Sequence, residues 1–196
     1  MIWIGLTGGI ATGKSTVTHI LRQQGFNVAD ADFFAKKAIE PQSPLLETVL
    51  QHFGPKVLNQ QGQLDRVLLG QIIFSNSAEK LWLENLIHPY VQNEIQKLKQ
   101  SWTAQGCDFA FYDVPLLFEK NLDSQFDKIL AIICPRSEQI QRLQKRNNFS
   151  IAEAELRIQN QVTDEERKKR ASYIIENNGN LEDLETKTLE FLKTLK

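Results

Sequence analysis

Residues 8–15 read Gly8-Gly9-Ile10-Ala11-Thr12-Gly13-Lys14-Ser15 and fit the pattern G-x-x-x-x-G-K-[ST] at every fixed position. The spacing has a mechanism. Glycines permit a tight loop whose successive backbone N–H groups turn inward and hold phosphate oxygens. A helix that starts at the end of the loop adds the positive end of its dipole. Lys14 would then reach the β and γ phosphates of a nucleoside triphosphate, and the Ser15 hydroxyl would bind Mg²⁺. Thr16 is the next hydroxyl in line, placed for the α-phosphate. The chemistry in view is phosphoryl transfer.

Three carboxylates have positions that suit such a loop. Asp30 and Asp32 end one apolar run, and Asp113 ends another. In open parallel sheets ligands sit beyond the carboxyl ends of the strands, so all three point to the edge that holds the loop. An acid there is the expected group for orienting Mg²⁺, directly or through water. A single aspartate at a strand end is commonly a helix cap or a turn former instead. Arg142 and Arg146 are four apart and share a helix face, flanked by Arg136 and Arg157. Phosphoryl transfer needs positive charge on the migrating group and water kept out, and a lid bearing arginines supplies both. The run Arg167-Lys168-Lys169-Arg170 follows Glu165 and Glu166 and reads as a solvated helix face.

The elements that must position these residues alternate. Apolar runs at 2–6, 26–30, 109–113, 129–134 and 173–175 read as strands, and the segment 14–24 as a helix closed by Gly25. Strands spaced by helices predict a parallel sheet covered on both faces, an α/β three-layer architecture. The stretch 36–106 is different: helical in pattern, punctuated by Pro41, Pro44 and Gly54-Pro55, and without a buried strand. It reads as a helical insertion. A helix pair at 137–147 and 151–161 follows the fourth strand. Ser150-x-x-Glu153 and Thr163-x-x-Glu166 read as capping boxes, and Asn180 as the cap of a last helix over 181–195.

Composition bounds the partners. Lys plus Arg is 23 and Asp plus Glu is 24 in 196 residues, a net charge of -1, which argues against a general basic surface for nucleic acid. The hydrophobic fraction of 41% suffices for a sizeable core. The longest unbroken apolar run, 129–134, is far short of a membrane span. The first basic residue is Lys14 and the leading apolar stretch stops at Gly5, unlike a secretory signal, so a cytoplasmic protein is expected. Cys107 and Cys134 form no CxxC, which excludes a disulfide framework and a Cys-rich zinc site. Cys134 reads as a buried small hydrophobe. Asp-x-x-Gly and Asn-Lys-x-Asp are both absent, which argues against a switch GTPase. The residues alone leave a kinase of a small acceptor, such as a nucleoside or nucleoside monophosphate, or a non-catalytic nucleotide-binding domain.

Further motifs narrow this choice. They are Asp30-Ala31-Asp32 with Ala35, Leu83 to Pro89 with His88-Pro89, and Asp113-Val114-Pro115-Leu116-Leu117-Phe118-Glu119. Arg142-x-x-x-Arg146-Asn147, Arg157-Ile158-x-x-Gln161 and Ile174-Ile175-x-Asn177-Asn178-Gly179 complete the set. With these the chain resembles the dephospho-CoA kinases, the P-loop kinases of the last step of coenzyme A biosynthesis, over nearly its whole length. The resemblance implies ATP-dependent phosphorylation of the ribose 3′-hydroxyl of dephospho-CoA, with ATP and dephospho-CoA as substrates and Mg²⁺ as cofactor. It implies a five-stranded parallel sheet in the order 2-3-1-4-5. It implies a nucleotide-binding core of 1–35 with 107–136 and 162–196, an acceptor domain over 36–106, and a lid over 137–161. It makes Asp32 the base, with Lys14, Arg142 and Arg146 beside it in catalysis, and puts Asp113 near Mg²⁺ or the acceptor. It makes Lys36, His88, Pro89, Pro115, Leu116 and Glu119 residues of the acceptor side. Three positions depart from the family pattern: Ala11 replaces Gly, Lys36 replaces Arg, and Ser172 replaces Asp. Alanine at 11 requires a backbone that is not left-handed. Lys36 keeps the charge and loses the bidentate fork. Ser172 precedes the last strand, away from the chemistry.

Overall fold

The structure is a computed structural model and describes residues 1–195. Five strands, β1 (Ile2–Gly8), β2 (Asn27–Asp30), β3 (Phe109–Asp113), β4 (Lys128–Ile133) and β5 (Tyr173–Glu176), form one sheet in the order β2-β3-β1-β4-β5. β1 pairs in parallel with β3 and β4, and β4 in parallel with β5. This is the order that the family resemblance implies. The helices are α1 (Lys14–Gln23), α2 (Ala31–Lys37), α3 (Pro44–Phe53), α4 (Arg66–Ser75), α5 (Ser77–Ala104), α6 (Arg136–Asn147), α7 (Ile151–Gln159), α8 (Asp164–Arg170) and α9 (Leu181–Lys193).

The chain divides into two compact units, Asp30–Ser101 and the remainder. The larger unit is built on the sheet. Alternate residues of β4 serve its two faces. Leu130 and Ile132 join Ile4, Leu6, Val17, Leu21 and Phe191 in one cluster, while Ile129 and Ala131 join Leu117 and Phe118 in the other. Gly5 lies where a Cβ would stand 2.6 Å from Leu117 Cδ1 and 2.9 Å from Phe126 Cγ, so its lack of a side chain gives that second cluster room against β1. The smaller unit is helical among its described residues, apart from one isolated bridge between Leu58 and Leu64. Pro44 starts α3 behind the Ser43 cap, and Asp65 caps α4 by accepting from the N–H groups of Val67 and Leu68.

Strand and helix ends differ by a residue or two from the sequence expectation, because pairing and caps decide them. β1 runs to Gly8 instead of residue 6, since Thr7 and Gly8 still pair with Ala131 and Ile132. β2 starts at Asn27 because Phe26 belongs to the stop of α1. The Phe26 N–H donates to the Leu21 carbonyl and the Gly25 N–H to that of Arg22, with Gly25 at φ 82. That is a Schellman turn, the reason for glycine here. Ser150 and Glu153 form a complete capping box, and so do Asn180 and Asp183. At Thr163 only one arm forms: its side chain accepts from the Glu166 N–H. The last helix ends at Lys193.

The basic run 167–170 is not a solvated face. Arg167 is 3% exposed and donates to Asp164 at 3.0 Å and to Glu119 at 3.4 Å. Arg170 grips Asp123 with two bonds of 2.8 and 2.5 Å and lies over the Phe118 ring. These two are three apart and share a face, and only Lys168 and Lys169 face solvent. The Arg170 guanidinium holds the Asp123 carboxyl below its ordinary range. A carboxyl lowered by folding stabilises the fold above its unfolded pKa, and that contribution is lost as pH falls through the folded value. Asp123→Asn should therefore destabilise the protein at neutral pH. The difference from wild type should shrink below about pH 4, as read by urea denaturation across a pH series.

Candidate active site

The loop leaves the centre of the sheet, between the ends of β3 and β4. Gly8 is needed because a Cβ would stand 2.7 Å from the Ile132 carbonyl oxygen. Gly13 caps α1 in the left-handed region at φ 97, and a Cβ there would meet Asn177 Nδ2 at 2.4 Å. Ala11 corrects an expectation: its φ is 60, inside the left-handed region that alanine was expected to avoid. The conformation costs an L-residue roughly 1–2 kcal/mol. It persists because hydrogen bonds hold the peptides on both sides of it.

The N–H groups of the loop do not all turn inward. The Ile10 N–H donates to Gln161 Oε1 at 2.7 Å, and the Thr12 N–H to the Gly9 carbonyl at 3.3 Å. The Thr12 hydroxyl also bonds Gly9, at 2.9 Å. The N–H groups of Ala11, Gly13, Lys14 and Ser15 donate to no group among the described residues. These four, at the start of α1, form the donor set that can receive phosphate oxygens.

Lys14 and Asp113 form an ion pair, and the Thr18 hydroxyl donates to the other Asp113 oxygen at 2.9 Å. Register places Asp113 opposite Leu6 of β1, so the β3 end delivers the carboxylate beside the loop. An ammonium has three donors, so a bond to Asp113 leaves two for phosphate. Both Asp113 oxygens thus have a partner within the protein. Thr7 donates to the Pro115 carbonyl at 3.3 Å, which fixes the chain just past β3. Leu116 is exposed. Glu119 Oε1 accepts from the Val162 N–H at 3.0 Å and from Arg167 of α8 at 3.4 Å.

Arg142 and Arg146 of α6 separate. Arg142 reaches the loop, donating to the Ala11 carbonyl at 3.3 Å and to Asn177 Oδ1 at 3.5 Å, and it pairs with Glu138. Arg146 is exposed and bonds Asn147. Arg136 pairs with Glu155, and Arg157 lies over the Phe149 ring at 3.9 Å. In the smaller unit Asp30 caps α2 by accepting from the Phe33 N–H at 3.1 Å. Asp32 and Lys36 are exposed one turn apart on α2, and His88 and Pro89 are exposed within α5.

Sequence reasoning gave no role to Gln139, Gln161 or Asn177. Gln139 donates to the Ile10 carbonyl at 2.8 Å and Asn177 to the Thr12 carbonyl at 2.8 Å, and each is 4% exposed. Gln161 and Asn177 lie in motifs quoted for the family, but only as part of a pattern. The sole signal for Gln139 was an amide one turn before Arg142.

A parallel sheet of this order, with a phosphate loop on its central strand and a lysine opening the next helix, defines a P-loop nucleotide-binding fold. The family model for dephospho-CoA kinase matches residues 2–183. A dephospho-CoA kinase of Carboxydothermus hydrogenoformans is 42% identical over 193 residues, covering 98% of this chain and 94% of that protein. A solved structure of a dephospho-CoA kinase from Campylobacter jejuni superposes with a TM-score of 0.74 at 29% identity, over 98% of this chain and 96% of that one. A solved structure from Thermus thermophilus gives a TM-score of 0.77 at 34% identity, over 100% and 98%. The chain belongs to the dephospho-CoA kinase family.

Ala11→Gly should stabilise the fold by about 1 kcal/mol. The left-handed penalty disappears, while the Arg142 bond, being to a backbone carbonyl, remains. A urea midpoint that falls instead would show that alanine is unstrained there.

Proposed function

We propose that the protein transfers the γ-phosphoryl group of ATP to the ribose 3′-hydroxyl of dephospho-CoA, giving CoA and ADP. The observation that carries this reading is the set of four uncommitted N–H groups of Ala11, Gly13, Lys14 and Ser15, with the Lys14 ammonium beside them, in a chain of this family. The 3′-oxygen forms the new bond to the γ-phosphorus as the bond to the bridging oxygen of ADP breaks. Asp32 receives the proton of the hydroxyl. A carboxylate does not deprotonate a free alcohol beforehand. In a loose transition state it orients the hydroxyl and takes the proton late.

Lys14 and the loop N–H groups stabilise charge on the migrating group, and Gly8 to Thr16 surround the phosphates. Arg142 and Arg146 add positive charge from the 137–161 segment, read as the lid. The 36–106 segment is read as the acceptor domain. Lys36, His88, Pro89, Pro115 and Leu116 belong to the acceptor side, and Glu119 shapes that side through Val162 and Arg167. The residues suit Mg²⁺. The Ser15 hydroxyl has no protein partner among the described residues, and Asp113, held by Lys14 and Thr18, is read as the acidic group that would orient the ion, directly or through water. No group of three acidic, histidine or cysteine side chains that could hold a metal occurs among the described residues. That suits an ion held mainly by phosphate and water. When bound it would neutralise charge on the β and γ phosphates.

Purified protein with MgATP and dephospho-CoA should yield a product heavier by one phosphate that matches authentic CoA by mass spectrometry. No such product, with ATP binding intact, would make the acceptor another hydroxyl compound. Lys14→Ala should abolish measurable turnover, and a wild-type rate would remove the loop assignment. Asp32→Asn should keep ATP affinity and lower turnover by about 10²–10⁴-fold, the scale of a lost base. Weakened ATP binding with turnover retained would move Asp32 to the metal site.

A further inference from the structure

Three successive carbonyls of the loop each accept from a different side chain. Ile10 accepts from Gln139 Nε2 at 2.8 Å, Ala11 from Arg142 Nη1 at 3.3 Å, and Thr12 from Asn177 Nδ2 at 2.8 Å. No described peptide bond is cis. In a trans peptide the carbonyl and the following N–H point in opposite directions. Fixing these three carbonyls therefore fixes where the N–H groups of Ala11, Thr12 and Gly13 point, which is away from α6 and from the exit of β5. Thr12 closes on Gly9. The other two, Ala11 and Gly13, are half of the uncommitted donor set.

The arrangement is locked on its protein side. Asn177 cannot turn its amide over without losing both bonds, because its Oδ1 accepts from Arg142 while its Nδ2 donates to Thr12. Gln139 is buried and lies one helical turn before Arg142, so one face of α6 reaches two adjacent carbonyls. Gly9 completes the fit, since a Cβ there would stand 3.0 Å from Gln139 Nε2.

We propose that Gln139 and Asn177 are positioning residues for phosphoryl transfer. Through the carbonyls of Ile10 and Thr12 they aim the N–H groups of Ala11 and Gly13 at the nucleotide phosphates. Neither touches substrate. Their effect is preorganisation, since donors already aimed need no rearrangement when charge arrives. The proposal rests on the reading of this loop as an ATP site.

The test uses Asn177→Asp and Gln139→Glu, which keep shape and replace a donor with an acceptor, and Gln139→Met, which has neither. Calorimetry gives the dissociation constant for MgATP, steady-state kinetics the KM for dephospho-CoA, and a melt the stability. Each variant should bind MgATP about 10- to 100-fold more weakly, the scale of one lost charge-assisted hydrogen bond, with the KM for dephospho-CoA unchanged. Should an acidic variant fail to fold, Gln139→Met alone decides. Wild-type affinity for MgATP in a folded variant overturns the proposal. So does a loss shared equally by both substrates and tracking the melting temperature, which marks a merely structural role. A wild-type protein that binds no MgATP overturns the ATP reading, and the proposal with it, a failure distinct from the first two.

Discussion

A peptide unit cannot aim its N–H at a ligand without aiming its carbonyl the opposite way. Every donor that a loop offers to phosphate therefore leaves an acceptor facing the protein, and that acceptor must be satisfied. The sheet order answers this constraint. β1 sits at the centre, so the loop that leaves it has β3 on one side and β4 and β5 on the other. The β4 side leads into α6, which carries Gln139 and Arg142, and the end of β5 delivers Asn177. Those side chains meet the carbonyls. The β3 side delivers Asp113, which meets Lys14. A loop on an edge strand would have only one of these flanks.

The charges next to the loop obey a similar logic. A buried ion pair is costly to desolvate and still more costly to break, and two of the charges near the site have more than one partner. Asp113 is held by Lys14 and Thr18, and Arg167 by Glu119 and Asp164. Asp113 and Glu119 leave the same strand end. One carboxylate steadies the loop lysine, and the other fastens α8 beneath the loop. Arg167 stands close enough to the loop that a Cβ on Gly9 would lie 3.4 Å from its Nη1. The groups packed behind the loop thus leave little room for a side chain at Gly8, Gly9 or Gly13.

Much of this was legible in the sequence. Five apolar runs separated by helical patterns announce the sheet, and the run 109–113 coincides with β3, because an uninterrupted buried strand declares itself by composition. The phosphate loop is legible because its chemistry dictates its residues. What stayed hidden depends on distant partners. The Gln139 and Asn177 bonds to the loop span 129 and 165 residues of chain, and nothing local marks an amide as the holder of a remote carbonyl. The basic run 167–170 misled for the same reason. Its composition is that of a surface, and only Glu119 and Asp123 from elsewhere in the chain show which side of α8 is buried. The left-handed backbone at Ala11 had no local signal beyond a missing glycine.

The grip on the loop bears on the proposal that the segment 137–161 is a lid. Gln139 and Gln161, near its two ends, both bond Ile10, one at the carbonyl and one at the N–H. Leu143 is fully buried, and Arg142 is tied to Ala11 and Asn177. The first half of α6 is therefore part of the loop's support and cannot swing without disturbing the N–H groups it aims. Beyond Leu143 the helix is half-buried or exposed. Its C-cap, Asn148, lies in the left-handed region at φ 54, before the capping box that opens α7. On the proposal of a lid, the part left free of the loop is this outer turn with α7. Arg146, and not Arg142, is the arginine that such a motion would carry. The two arginines that one helical face puts together thus differ: Arg142 is tied to the loop, and Arg146, on the lid proposal, goes with the outer turn.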